Sequence, residues 1–314
     1  MRIEAPCKIN LHLKVQGLRP DGYHDLESIF VGLAWGDTLW VERTLEEGGC
    51  TIGMDWSGLR ESGSVPAEGA FPVDQNSVYR AVSRFREETG FQGGIRIRVE
   101  KRIPLGAGLG GGSSDAASTL LALRCLAAPE LAQERLAEMA LALGSDVPFF
   151  LQGGAAFVSG RGERIVPLEA PRGVAVVLVY PGFSSDTGAA FRLLDEARRE
   201  SGAGIGGDGL ELAAALAEHP GSWPYTNDFL RVFLEAGDTD RGRVYREVLE
   251  DLRSLGADFA GLSGAGSVCF GVFGEGSAAE NAEQALSGRM ARADQRYWVQ
   301  KTFPLAYSGN GVVE

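Results

Sequence analysis

Residues 104–118 read PLGAGLGGGSSDAAS, and few backbones can use such a stretch. Gly106, Gly108, Gly110, Gly111 and Gly112 run into Ser113, Ser114 and Asp115. Before them, Ile95, Ile97 and Val99 alternate with Arg96, Arg98 and Glu100, which is the period of a strand. After them come Ala116, Ala117, Leu120, Leu121 and Leu123 at helical spacing. The spacing predicts a helix capped by Ser113 or Ser114, with Asp115 in its first turn. The glycines then join a strand to a helix N-terminus, where free N–H groups and the helix dipole favour an anion. Glycine also lets backbone approach a phosphate closely. The plainer reading is a flexible turn; five glycines, two serines and a helix start weigh against it.

Two familiar phosphate loops fit poorly. A Walker A loop ends in Gly-Lys-Ser/Thr, and here Gly112 is followed by Ser113. Gly106, Gly108 and Gly111 match G-x-G-x-x-G, but a dinucleotide site also needs an acidic residue about twenty positions on, after a second strand. Glu130 lies near that distance, yet Pro129-Glu130 reads as the start of another helix.

The 314 residues suffice for two domains of ordinary size, and 44% hydrophobic content supports globular cores. A formal net charge of −12 argues against a nucleic-acid partner, which would call for a basic face. The anion site is therefore a local feature of an acidic protein. Cys7, Cys50, Cys125 and Cys269 form no C-x-x-C pair, so reduced thiols in a cytoplasmic protein are expected. No signal peptide and no membrane-length apolar run is visible.

Elsewhere the residues leave choices open. Residues 2–15 read as a strand with Lys8, Asn10, His12 and Lys14 on one face. Periodicity alone prefers a solvated polar face there. Pro20-Asp21-Gly22 marks a turn, and Tyr23-His24 after it is a surface loop or a binding edge. Strand-like alternation returns around residues 38–56, and residues 57–74 read as a loop. Asp74 to Ser77 opens a helix carrying Val78, Ala81, Val82 and Phe85, and another runs from Leu131 to Leu143. Asp146, between the stop at Gly144 and Phe149-Phe150, is either a helix cap or a positioned acid/base; spacing favours the cap. Residues 153–168 read as a hairpin and 167–173 as a domain junction. Residues 174–179 read as a strand buried on both faces. Residues 202–209 read as a linker. Residues 261–273 are a second glycine loop running into an apolar strand.

The 104–118 stretch closely resembles the second motif of the GHMP small-molecule kinases, in which this loop wraps the ATP phosphates. Residues 261–267 resemble the third motif, with Gly264 and Gly266. The segments PCKINLHL and RPDGYHDLESIF resemble the N-terminal signature of the branch of that family that phosphorylates cytidine diphosphate-linked methylerythritol in the non-mevalonate isoprenoid pathway. Cys7 replaces a customary alanine there.

The resemblance implies an α+β, two-domain fold. Residues 1–168 would form an N-terminal half like the second domain of ribosomal protein S5, and residues 169–314 a ferredoxin-like C-terminal half, with the site in the cleft. It implies ATP and Mg²⁺ as cofactors, and Lys8 and Asp146 as the catalytic pair. ATP contacts would come from Lys101, Pro104, Leu105, Gly106, Ala107, Gly108, Leu109, Gly110, Gly111, Gly112, Ser113 and Ser114. Ser113 or Ser114 is the candidate to touch Mg²⁺, with Asp115 less favoured. Substrate contacts would come from Asn10, Tyr23, His24, Phe30, Thr187 and Phe191, with Tyr23 and Phe191 expected to stack on the pyrimidine. The expected partners are these two small molecules, with no nucleic acid or membrane, in a monomer or weak homodimer. Two other readings stay open: a kinase for mevalonate-like or homoserine-like alcohols, and a non-catalytic ligand sensor.

Overall fold

The computed structural model describes residues 1–60, 62–66, 73–201, 209–235, 239–287, 289–292 and 295–306. The chain opens with two long strands, β1 (Arg2–Leu18) and β2 (His24–Thr44), joined by the turn at Gly22. β3 (Cys50–Asp55), α1 (Ser77–Thr89) and β4 (Gly94–Glu100) follow. Next come α2 (Gly111–Ala127), α3 (Gln133–Leu143), α4 (Val147–Gln152), β5 (Ala155–Gly160) and β6 (Arg164–Leu168). The second half contains β7 (Ala175–Tyr180), α5 (Thr187–Ser201), α6 (Gly209–Ala214), α7 (Asp228–Glu235) and α8 (Asp240–Ser254). It ends with β8 (Phe259–Leu262), β9 (Cys269–Phe273), α9 (Gly276–Ser287), β10 (Met290–Arg292), β11 (Gln295–Arg296) and β12 (Trp298–Thr302).

The first sheet runs β3-β4-β2-β5-β6, with β1 along the other edge of β2. Its pairings are antiparallel except β3 with β4. The second sheet, β12-β7-β9-β8, is antiparallel throughout. Sequence reading saw only fragments of β2. Its 21 residues feed three neighbours, because its first part pairs with β5, its last part with β4, and most of its length with β1. Gly36 allows that crowding: a Cβ there would overlap the Ala5 carbonyl across the ladder.

Three apolar clusters hold the molecule. One lies between the first sheet and α1–α4 and includes Ile3, Ala5, Val82, Phe85, Leu120 and Phe149. A second lies between β7–β9 and α5, α7, α8 and α9, with Leu13 and Val15 of β1 in it. The third joins the two sheets, packing Cys7, Ile9, Leu11 and Ile29 against Val176, Leu178, Phe270 and Val272. β7 is buried along its whole length, as its unbroken apolar run predicts.

This packing overturns the solvated-face reading of β1. Lys8, Asn10 and His12 are each 3% exposed. Most of their polar atoms are served from within, although His12 Nε2 finds no partner among the described residues: Asn10 Nδ2 donates to Ser28 Oγ at 2.9 Å, and Ser28 Oγ donates to the His12 carbonyl at 2.5 Å. The Thr226 N–H donates to His12 Nδ1 at 3.2 Å, and the Leu13 N–H donates to the Thr226 carbonyl at 2.8 Å. The Asn227 segment of the second half is thus stitched to β1. Residues 202–208 of the expected linker lie outside the described residues.

Burial pushes the His12 imidazole down to about 4 from the usual 6.5, so it accepts the Thr226 bond as a neutral ring. Between those pH values the unfolded chain takes a proton that folded His12 refuses, so stability falls as pH falls through this window. His12→Gln is expected to flatten that part of the stability–pH curve, measured by urea unfolding from pH 7 to pH 4. An unchanged slope would remove His12 as its source.

Candidate active site

β4 ends at Glu100, and the chain crosses 101–110 as a loop before α2 begins at Gly111. Gly106, Gly108 and Gly110 all have positive φ, the conformation glycine adopts without strain. The helix starts earlier than Ser113 or Ser114 would cap it. Its N-cap is Gly110 at φ 73°, and the two serines sit inside the first turn. The first N–H groups of α2 are left facing the loop, the arrangement that favours an anion. Loop and helix border a cavity of about 320 Å³, closed by Ser77 and Arg80 of α1 and by Leu143 and Val147.

The second glycine segment packs directly on this loop. Ser263 Oγ donates to the Gly108 carbonyl at 2.8 Å, and the Val268 N–H donates to Ala107 at 3.1 Å. A Cβ on Gly108 would strike the Ser263 carbonyl. Asn227 Nδ2 braces the segment from behind, donating to the carbonyls of Leu262 and Gly264 at 2.8 and 2.9 Å.

Lys8 stands at the loop's end. Its N–H donates to the Leu109 carbonyl at 3.0 Å, and its Nζ donates to Asn10 Oδ1 at 2.6 Å. The same Nζ lies 3.4 Å from Asp146 Oδ2 and 4.4 Å from the centroid of Phe30. Asp146 precedes α4 but makes no side-chain cap bond, which removes the capping explanation that spacing favoured. Its side chain is 34% exposed against 4% for Lys8. A buried ammonium at this distance attracts the partly exposed carboxylate and can hold it aimed.

Other expected residues land differently. Phe30 is 2% exposed and packs edge-on against Phe149, so it belongs to the core under Lys8 and is not a substrate wall. Ser114 is fully buried, and its hydroxyl finds no partner among the described residues, whereas Ser113 borders the cavity. The Lys101 ammonium is not free for phosphate: it is bonded to Asp37 and, at 2.6 Å, to Asp115. Asp115 is thereby neither a cap nor an open metal ligand. Burial pushes its carboxyl up to about 7, against the pull of Lys101.

The expected stacking pair is also rearranged. Phe191 lies against the His24 ring, centroids 4.8 Å apart and planes 16° from parallel, and edge-on to Phe229. His24 Nε2 is 2.9 Å from Asp195 Oδ1. Tyr23 is half exposed, and the Arg161 guanidinium lies 3.7 Å over its ring. Thr187 is exposed at the start of α5. Residues of both halves therefore meet at two points: Ser263 against Asn10 and Gly108 near Lys8 and Asp146, and Phe191 and Asp195 against His24. Asp37, Asp195 and Arg161 escaped sequence reading because each sits in an ordinary-looking strand, helix or turn and acquires its role only through a distant partner.

A strand-to-helix glycine cradle, a second glycine segment packed on it and a Lys–Asp pair at its mouth define the architecture of a GHMP kinase. The chain matches the GHMP kinases N terminal domain over residues 76–154 and the GHMP kinases C terminal domain over residues 207–292. It is 38% identical to a 4-diphosphocytidyl-2-C-methyl-D-erythritol kinase of Deinococcus radiodurans, over 98% of this chain and 95% of that one. It is 39% identical to the enzyme of that name from Anaeromyxobacter dehalogenans, over 91% and 84%. A crystal structure of 4-(cytidine 5'-diphospho)-2C-methyl-D-erythritol kinase superposes with a TM-score of 0.73 at 34% identity, covering 96% of this chain and 99% of that one. A homoserine kinase of Cytophaga hutchinsonii shares the fold at 17% identity, with a TM-score of 0.65 and coverage of 99% and 96%. The chain belongs to the 4-diphosphocytidyl-2-C-methyl-D-erythritol kinase family.

The glycines are expected to separate by direction. A Cβ on Gly110 would meet Phe150 at 2.8 Å and Lys8 Cγ at 3.2 Å, and one on Gly111 would meet Ile103 at 3.0 Å, so neither points at the phosphates. Only Gly112 opens toward the cavity, with nothing nearer than Ser77 Oγ at 3.6 Å. Gly112→Val should weaken ATP binding measured by calorimetry, while Gly110→Ala should lower kcat by displacing Lys8. Equal ATP affinity in Gly112→Val and wild type would rule out this side of the cavity as the nucleotide seat.

Proposed function

We propose that this protein transfers the γ-phosphoryl group of ATP to the 2-hydroxyl of 4-diphosphocytidyl-2-C-methyl-D-erythritol. The carrying observation is Lys8, buried and bonded to the phosphate loop's own backbone, with Asp146 3.4 Å from its ammonium. Phosphoryl transfer asks for positioning and for charge stabilisation more than for covalent chemistry. The loop N–H groups and the start of α2 hold the phosphates. Asp146, partly exposed beside Lys8, accepts or orients the proton of the attacking hydroxyl. Lys8 carries its charge to the transferred phosphoryl, a task suited to a compact ammonium. Asn10 and Ser28 fix Lys8 from behind.

Mg²⁺ fits this donor set through Ser113, whose hydroxyl borders the cavity, and not through Ser114, which is buried under the loop. Ser113 would hold Mg²⁺ there, and the chemistry the ion would supply is neutralisation of phosphate charge. We read residues 1–168 as the half that supplies loop, base and ammonium, and residues 169–314 as the half that closes the second substrate's seat.

The cytidine diphosphate end is placed between the Tyr23–His24 turn and α5. Phe191 supplies an aromatic face, Tyr23 with Arg161 a second one at the rim, and Thr187 a polar contact; Asn10, expected as a substrate contact, is buried with both amide atoms engaged and acts through Lys8 instead. Because the His24 ring is already engaged by Phe191 and Asp195, its main chain is what remains to read a base edge. The same relatives' name supports this substrate over mevalonate-like alcohols.

The deciding experiment is a phosphorylation assay with ATP, Mg²⁺ and a panel of alcohols. Lys8→Ala and Asp146→Ala should each lower kcat by roughly 10²–10⁴-fold, the usual worth of a positioned acid/base, with ATP still bound. A variant with near wild-type kcat would cancel that residue's role. Phe191→Ala should raise KM for the cytidine substrate, by about 1–3 kcal/mol if stacking here matches base stacking elsewhere, and leave KM for ATP unchanged. Equal turnover of the uridine analogue, or use of free methylerythritol phosphate, would overturn the substrate assignment.

A further inference from the structure

We infer that Asp37, Lys101 and Asp115 act together as a clasp that positions both arms of the phosphate loop for the nucleotide, an inference that rests on the ATP reading above. The three residues are 0%, 3% and 2% exposed. Lys101 stands on the arm entering the loop, immediately after β4. Asp115 stands on the arm leaving it, in the second turn of α2. Asp37 is on β2 and reaches the entering arm three times: one oxygen accepts the N–H groups of Arg102 at 2.5 Å and Ile103 at 2.9 Å, and the other meets the Lys101 ammonium. Lys101 then spans to Asp115 at 2.6 Å.

The span between the arms has little stiffness of its own. Gly106, Gly108 and Gly110 all sit at positive φ and carry no side chains to lock them. A cradle preorganised for phosphate therefore has to be held from its ends. The clasp also relates the cradle to the chemistry. Asp37 pairs with Ala5 across the β1–β2 ladder, three residues before Lys8. Loop position and Lys8 position are referred to the same pair of strands.

These are positioning residues. The Lys101 ammonium is committed to two carboxylates, and Asp115 does not border the cavity, so any effect of Asp115 on ATP passes through the loop. Breaking a buried pair by removing one partner strands the other charge, and the loop arm that carries it shifts.

The test compares wild type, Asp115→Ala and Asp115→Asn by calorimetry with Mg-ATP and by steady-state kinetics on both substrates. Asp115→Ala should raise both Kd and KM for ATP by about tenfold or more, the scale on which small misplacements of a preorganised site register. KM for the alcohol should stay within about twofold, because its seat is built from other elements. Asp115→Asn keeps an oxygen for Lys101 and should restore ATP affinity. If Asp115→Ala does not fold, Asp37→Asn/Lys101→Met/Asp115→Leu removes all three charges, leaves a side-chain carbonyl at position 37 for the N–H groups of Arg102 and Ile103, and is expected to show the same ATP-selective loss. A lower melting temperature with both KM values unchanged would assign the cluster to folding alone and overturn the clasp. A wild-type chain that binds no ATP would overturn the functional reading and the clasp with it; wild-type binding with unaltered variants overturns the clasp alone.

Discussion

Two stretches of bare backbone touch where Gly108 meets Ser263 and Gly266, and the molecule is arranged to make that contact. No side chain can stand between them, since a Cβ on Gly108 would overlap the Ser263 carbonyl. Each stretch comes from a different half, so the cradle's curvature is fixed only when both sheets are in place. The hydroxyl of Ser263 then turns the contact into a hydrogen bond, and its Oγ lies 3.3 Å from the Asn10 N–H on β1. A loop with almost no conformational preference is shaped by what it leans on.

Charge is treated with the same economy. Two buried lysines border that loop, Lys101 where the chain enters it and Lys8 through its bond to the Leu109 carbonyl, and each faces a different audience. Lys101 is enclosed with two carboxylates and serves the frame. Lys8 is enclosed by Phe30, Asn10 and the Leu109 carbonyl, but its carboxylate partner, Asp146, looks outward. Burying an ammonium is costly unless it is paired, and the partial exposure of Asp146 leaves that pairing open to a third party carrying negative charge. The contrast between a closed lysine and an open one follows from which partner the fold leaves at the surface.

Much of this was legible in the sequence, for definite reasons. The glycine cradle, the Ile95–Val99 alternation, the Ala175–Tyr180 run and the 153–168 hairpin are local patterns, and local patterns survive folding. Lys8 and Asp146 were found through motif resemblance, because spacing alone preferred a solvated face for one and a cap for the other. What stayed hidden is what burial decides. The polar residues of β1 read as wet because nothing in residues 2–15 announces that α2, α4 and the second sheet will cover them. Asp115 read as a cap because its partner Lys101 lies on another element. His24, and not Tyr23, faces Phe191 because a one-residue difference after the Gly22 turn selects the side of the strand on which a ring emerges.

β1 contributes to all three apolar clusters: Ile3 and Ala5 to the first, Cys7, Ile9 and Leu11 to the one between the sheets, Leu13 and Val15 to the second. Its Leu13 pairs with Asn227, more than two hundred residues away. β1, which precedes every other strand of this fold along the chain, is thus among the last to be finished. Closing such a long span delays the gain from its contacts, which is the property that slows folding in chains of high contact order. Until the second half emerges, Cys7, Ile9 and Leu11 have no sheet to cover them. A nascent chain of this design carries an apolar strand in waiting, the kind of surface that chaperones hold and that aggregation exploits.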